Sequence, residues 1–215
     1  MSATQFDGWR STERLDMNEN VTSEIQLSTQ EWLFALFARV FGAEPDKELI
    51  NDLVLDETLS ALALFLNDEE LKDFAAMQDS LKASLLDDDF FERLGAEYFK
   101  ALEAPGKMIA YPWESVYAEG APLLFQKSTL SVIEAYRQDG FELELTTNVP
   151  KDHISYELLF MSLLASQNKT ENMQRFKDAH LINWVPSYCD DLQKLPDSEY
   201  ICAIARTLKA FLKKA

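Results

Sequence analysis

Apolar positions recur along this chain at three- and four-residue spacing, the period of helices with one buried face. Ser28-x-x-Glu31 reads as a capping box, and Trp32, Leu33, Leu36, Phe37 and Val40 follow on one stripe that Gly42 ends. Asp46, after Pro45, starts a short second helix, and Asp56 opens a third with Leu59, Leu62, Ala63 and Leu66 on one side. Asn67-x-x-Glu70 is a second capping box, ahead of Leu71, Phe74, Ala75, Leu81 and Leu85. Asp87-Asp88-Asp89 places negative charge where a fifth helix begins, favourably for the helix dipole. That helix is expected to bury Phe90, Phe91, Leu94, Tyr98 and Leu102 and to end near Pro105-Gly106.

The pattern then breaks, and residues from about Glu103 to Ser128 read as non-helical. Ser128 or Thr129 is the expected cap of a helix that ends at Gly140. "FELELTT", residues 141–147, alternates like a strand, but no second strand signal exists to pair with it, so it reads as extended loop. Asp152, after Pro150, is expected to start and cap the helix "HISYELLFMSLLASQ", apolar on most sides and therefore central. Further helices are expected over about 170–180, 184–194 and 198–213, the last with Lys209, Lys213 and Lys214 at its favoured end. The fold class is all-α: one globular helical domain of about ten helices. Two helical halves, about 26–104 and 128–215, are joined by a long central connection, 105–127. Residues 1–25 are polar apart from Phe6, Trp9 and Leu15, and read as a tail.

Composition narrows the function classes. Hydrophobic residues are 47% of the 215, enough for a real core, while six Gly and seven Pro are too few for a many-turned β sandwich. A formal net charge of −17 works against a phosphate backbone, so no nucleic-acid partner is expected, and it steers basic partners inward. The N-terminal stretch lacks the continuous apolar core of a signal peptide, and no apolar run is long enough to span a bilayer. A cytoplasmic chain is the expectation, with the two cysteines, Cys189 and Cys202, reduced.

Enzyme templates find little purchase. No GxGxxG, GxxxxGK[ST] or GxSxG occurs, and only two histidines, His153 and His180, are available. Asp152, His153 and Glu157 at a helix start could serve a metal-dependent hydrolase. The alternative is a helix cap beside a partly buried first-turn histidine, and neither a metal nor a catalytic group is expected. The stretch "PWESVYAEGAPLLF", residues 112–125, is rich in large apolar side chains on a connection. It is either a loop plugged into the core beneath it or a surface that grips an apolar partner.

Pro112-Trp113-Glu114-Ser115-Val116-Tyr117, Leu124-Phe125 and Pro150-Lys151-Asp152-His153-Ile154, leading into Glu157-Leu158-Leu159-Phe160-Met161, resemble in order and spacing the TorD/DmsD family of redox-enzyme maturation chaperones. That family carries "Y/W-x-S-V-Y", "L-F-G-x-x-T" and "P-x-D-H-I/F" segments, and His180 and Trp184 resemble its later histidine–tryptophan stretch. The likeness runs from about residue 111 to the C-terminus, and two positions depart from it: Gln126 stands where the pattern has Gly, and Lys151 where relatives are often acidic. The resemblance implies a non-enzymatic cytoplasmic chaperone that binds the twin-arginine leader, and often the body, of a molybdenum-cofactor oxidoreductase. It also implies a monomer or a dimer that exchanges helical halves, and a weak affinity for guanine nucleotide to which no residue here can be assigned. A module of the same fold serving a different client is the alternative. Two guanidiniums followed by an apolar stretch call for carboxylates beside an apolar groove. The expected binding residues are therefore Trp113, Glu114, Ser115, Tyr117, Leu124, Phe125, Pro150, Asp152 and His153.

Overall fold

The computed structural model describes residues 7–103, 108–118, 123–143, 149–196 and 198–215, with side chains from Ser23 onward. Among these residues the chain is all-α. The helices are α1 (Asp7–Gly42), α2 (Lys47–Val54), α3 (Asp56–Leu62), α4 (Asp68–Ser84), α5 (Phe90–Tyr98), α6 (Glu114–Ala118), α7 (Lys127–Gln138), α8 (Ile154–Ser166), α9 (Thr170–Phe176), α10 (Ile182–Leu192) and α11 (Glu199–Leu212). Two π-helical turns, Phe99–Glu103 and Lys177–Leu181, extend α5 and join α9 to α10.

Local signals set several of these boundaries. Asp46 caps α2 by accepting from the Leu49 N–H, and Asn67 with Glu70 forms the reciprocal box that opens α4. The box at Ser28 does not form: α1 runs through it from Asp7, and the Ser28 hydroxyl donates back to the Ile25 carbonyl at 3.0 Å. Helix α1 thus takes in much of the segment expected to be a tail. The Asp87–Asp89 run acts through side chains as well as the dipole, since Asp87 and Asp89 both engage Arg93. Phe91, expected inside, is partly exposed and packs edge-on to Phe90. Of "FELELTT", Phe141 to Leu143 form no regular structure, and 144–147 lie outside the described residues.

Helix α8 is central. Its long partner is α1, and α9 packs on it as well. The C-terminal end of α1 comes so close that a Cβ on Gly42 would lie 3.1 Å from that of Ser155, which is why a glycine suits that position. One edge of α8 is left open, where Leu159 and Leu163 are exposed. On the other side of the molecule, Phe34, Phe37 and Phe65 gather round Phe211 of α11 at centroid distances of 5.0–5.6 Å. The pieces expected over 170–180 and 184–194 are one nearly continuous rod. Pro186 sits within α10, downstream of the π turn that carries His180.

Candidate functional site

Two segments 37 or more residues apart pair as a single antiparallel bridge between Trp113 and His153. The Glu114 N–H donates to the Asp152 carbonyl at 3.0 Å, and the Ile154 N–H to the Pro112 carbonyl at 2.9 Å. The bridge brings the start of the five-residue helix α6 against the start of α8. Asp152 then ties in a third segment: its Oδ2 accepts from the Ser115 N–H at 2.8 Å and its Oδ1 from the Thr129 hydroxyl at 3.0 Å. Asp152 is 0% exposed. It is therefore not the cap of α8; His153 is, accepting from the Ser155 N–H through Nδ1. Nor do Ser128 or Thr129 cap α7, which begins one residue earlier, after Gln126.

Below this junction lies a buried polar network. Glu114, 5% exposed, accepts from Nδ1 of His180 at 2.9 Å. Glu157, fully buried, accepts from the Trp184 indole N–H at 3.2 Å. Burial, then the negative charges of Glu114 and Asp152, push the Glu157 carboxyl well above its ordinary range. Burial alone lowers the His153 imidazole to about 4, leaving that cap neutral. Tyr117 stacks on Trp184 at 5.8 Å, donates to Asp191 and accepts from the Tyr111 N–H. Trp113 packs edge-on to His153 at 5.4 Å. The Lys151 ammonium reaches the Leu143 carbonyl, and the Lys151 carbonyl accepts from Tyr136. Among the described residues, no group of three or more His, Cys, Asp or Glu is placed to hold a metal ion.

Above the junction the chain turns outward. Leu123, Leu124 and Phe125 are 61%, 41% and 55% exposed, and Leu130 on the first turns of α7 is 68% exposed. Phe125 adopts a left-handed backbone with φ 58°, uncommon for a bulky residue. Gln126 itself is extended, at φ −92° and ψ −169°, so its replacing a glycine imposes no backbone strain.

The residues expected to bind thus divide. Leu124 and Phe125 face solvent, Trp113, Tyr117 and His153 are half-buried, and Glu114, Ser115, Pro150 and Asp152 are buried. Both carboxylates assigned to meet guanidinium groups, Glu114 and Asp152, are instead internal ties, because each already holds hydrogen-bond donors in a site closed to water. Sequence reasoning missed Thr129 as the partner of Asp152, Glu157 as the partner of Trp184, and Leu123 and Leu130 as exposed. The signal for Thr129 was present in "LFQKST", whose final threonine matches the end of the "L-F-G-x-x-T" pattern.

The nitrate reductase delta subunit family matches residues 59–190. The Tat proofreading chaperone DmsD of Salmonella typhi is 26% identical over 163 residues, covering 73% of this chain and 76% of the relative. The chaperone protein TorD of Actinobacillus succinogenes is 27% identical over 178 residues, covering 72% and 89%. Among solved structures, a putative redox enzyme maturation protein from Archaeoglobus fulgidus shares the fold, with a TM-score of 0.56 and 23% identity over 86% of this chain and 94% of that one.

Proposed function

The chain belongs to the TorD/DmsD family of redox-enzyme maturation chaperones, whose members are not enzymes, and on that footing we propose that it binds the twin-arginine leader of a molybdenum-cofactor oxidoreductase and holds that client during maturation. The observation that carries this reading is the exposed run Leu123-Leu124-Phe125, with Leu130 beyond it, set on the junction where the three motif segments meet. Several neighbouring apolar side chains left in water mark a contact surface more than they mark a fold. A leader's apolar stretch fits that surface.

The leader's two arginines are met differently from what the motif suggests. With Glu114 and Asp152 closed inside, attraction falls to the surface field of a chain carrying −17 formal charge. Such a field acts on encounter, so added salt should slow association while dissociation changes less. Titration calorimetry with a twin-arginine leader peptide and its twin-glutamine version, which lacks the two charges, tests the reading. Binding of the first, and weaker binding of the second, is the expected result. Equal heats for the two, or no heat for either, would reject it.

A further inference from the structure

We infer that Gln126 is a positioning residue: its side-chain amide braces the apolar tip Leu123–Phe125 against α6 and holds it in the pose that meets a client. Both hydrogens of one NH2 group are used. Nε2 donates to the Ser115 carbonyl at 2.8 Å and to the Leu123 carbonyl at 2.7 Å. Ser115 is itself fixed, since its N–H donates to the fully buried Asp152. A line of hydrogen bonds therefore runs from a carboxylate inside the molecule, through Ser115 and Gln126, to the base of a tip that is mostly in solvent.

The tip has a reason to need holding. Leu123, Leu124 and Phe125 would lower their free energy by leaving water, and Phe125 holds a left-handed backbone that an L residue seldom chooses alone. Two hydrogen bonds across the loop oppose both tendencies. The extended backbone of Gln126 lets its side chain reach both carbonyls. A glycine, which the motif has at this place, supplies no such group. The brace is thus a property of this chain and not of the pattern it resembles. A tip ordered in advance loses less conformational entropy on binding, which lengthens the life of the complex.

The brace stands on geometry alone, while its consequence for a client rests on the leader-binding reading, so two measurements on the full chain keep them apart. The first is limited chymotrypsin digestion under native conditions, which reads local opening of a Leu-Leu-Phe tip. Gln126→Ala removes the donors. Gln126→Glu keeps the size, but turns an acceptor toward two carbonyls. Cutting within 123–125 should quicken about tenfold in both variants, with melting temperatures close to that of the parent. A Gln126→Glu chain cut as slowly as the parent would overturn the brace. The second measurement is the dissociation rate of a twin-arginine leader peptide, expected to rise about fivefold or more in both variants with little change in association. Faster cutting with an unchanged dissociation rate would overturn the role in client binding. A parent chain that binds no leader peptide at all would reject both that role and the leader reading, and leave the brace to stand or fall on the digestion.

Discussion

The stretch "PWESVYAEGAPLLF" ends in two opposite environments. Its first part is polar and lies inside: Glu114 and Ser115 are buried and tied to His180 and Asp152. Its last part is apolar and lies outside, with Leu123, Leu124 and Phe125 in solvent. This inverts the usual sorting of residues between core and surface, and each half explains the other. Buried polar groups that hold partners, as Glu114 and the Ser115 N–H do, fix one geometry, because misplacing one leaves a group unsatisfied. Exposed apolar groups fix nothing by themselves and await a partner. In this region the polar residues build the platform, and the apolar residues are left exposed for the proposed contact.

The difference is broken most severely at Asp152. Replacing it by Ala strands the Ser115 N–H and the Thr129 hydroxyl in a buried site, and should cost roughly 3 kcal/mol, since each orphaned group costs about 1–3 kcal/mol. Asp152→Asn should fall between that variant and the parent. If Asp152 were only a helix cap, Asn would replace it almost without loss. Its two donors instead arrive at two oxygens, and Asn offers one. Denaturant unfolding of the three chains checks this, and an Asn variant as stable as the parent would return Asp152 to the role of a cap.

Phe125 should behave in the opposite way. Phe125→Ser removes an exposed ring, so stability should change by no more than about 0.5 kcal/mol. Affinity for a twin-arginine leader should drop by about tenfold or more, as for an aromatic anchor at an interface. Thermal melting and calorimetry on the same preparation separate the two effects. A large fall in melting temperature with unchanged affinity would place the tip with the platform.

How much of this was legible depends on how far apart the partners lie. Asp46 and the Asn67–Glu70 pair act within one helical turn, so a single sequence suffices to read them. The box at Ser28 has the same spacing as that at Asn67, but the preceding residues continue the helix, and a local pattern cannot report that. Helix α6 was illegible because five residues do not make a stable helix alone; its first turn is held by an Asp152 oxygen 37 positions later. The carboxylates were legible as important and misread as available, since burial is decided by packing that no spacing records. Leu124 and Phe125 were legible as either a core plug or a gripping surface, and their exposure removes the first of these.

Within the platform, Glu157 offers a finer test through proton linkage. Its carboxyl is raised in the folded chain by burial and by the charges of Glu114 and Asp152, against an ordinary value of 4.5. Above that value the unfolded chain gives up a proton that the folded chain keeps, so this group's contribution to stability falls as pH rises. The loss is about 1.4 kcal/mol per pH unit until the folded group ionises. Glu157→Gln mimics the protonated form and removes the linkage. As pH rises above the ordinary carboxylate range, the variant should therefore gain stability relative to the parent. Unfolding curves for both chains at several pH values decide it, and a constant difference would mean that Glu157 is ionised in place.

His153 should give the smallest effect, with the opposite sign. Burial holds its imidazole near 4 in the folded chain, against an ordinary 6.5. Between those values the unfolded chain binds a proton that the folded chain refuses, so the stabilisation is full above pH 6.5 and is lost as pH falls toward 4. Because Glu157 works the other way over part of that range, the parent's own profile hides both, and only the variants expose them. His153→Asn keeps an acceptor for the Ser155 N–H and so keeps the cap of α8, while removing the titration. Losing the edge-on contact with Trp113 should lower stability by an amount that does not vary with pH. On top of that offset, the parent's advantage over the variant should shrink by about 1–2 kcal/mol between pH 7 and 4, less than a sealed site would give because the ring keeps some solvent contact. An advantage that grew on acidification would mean that the imidazole takes up its proton in the folded state.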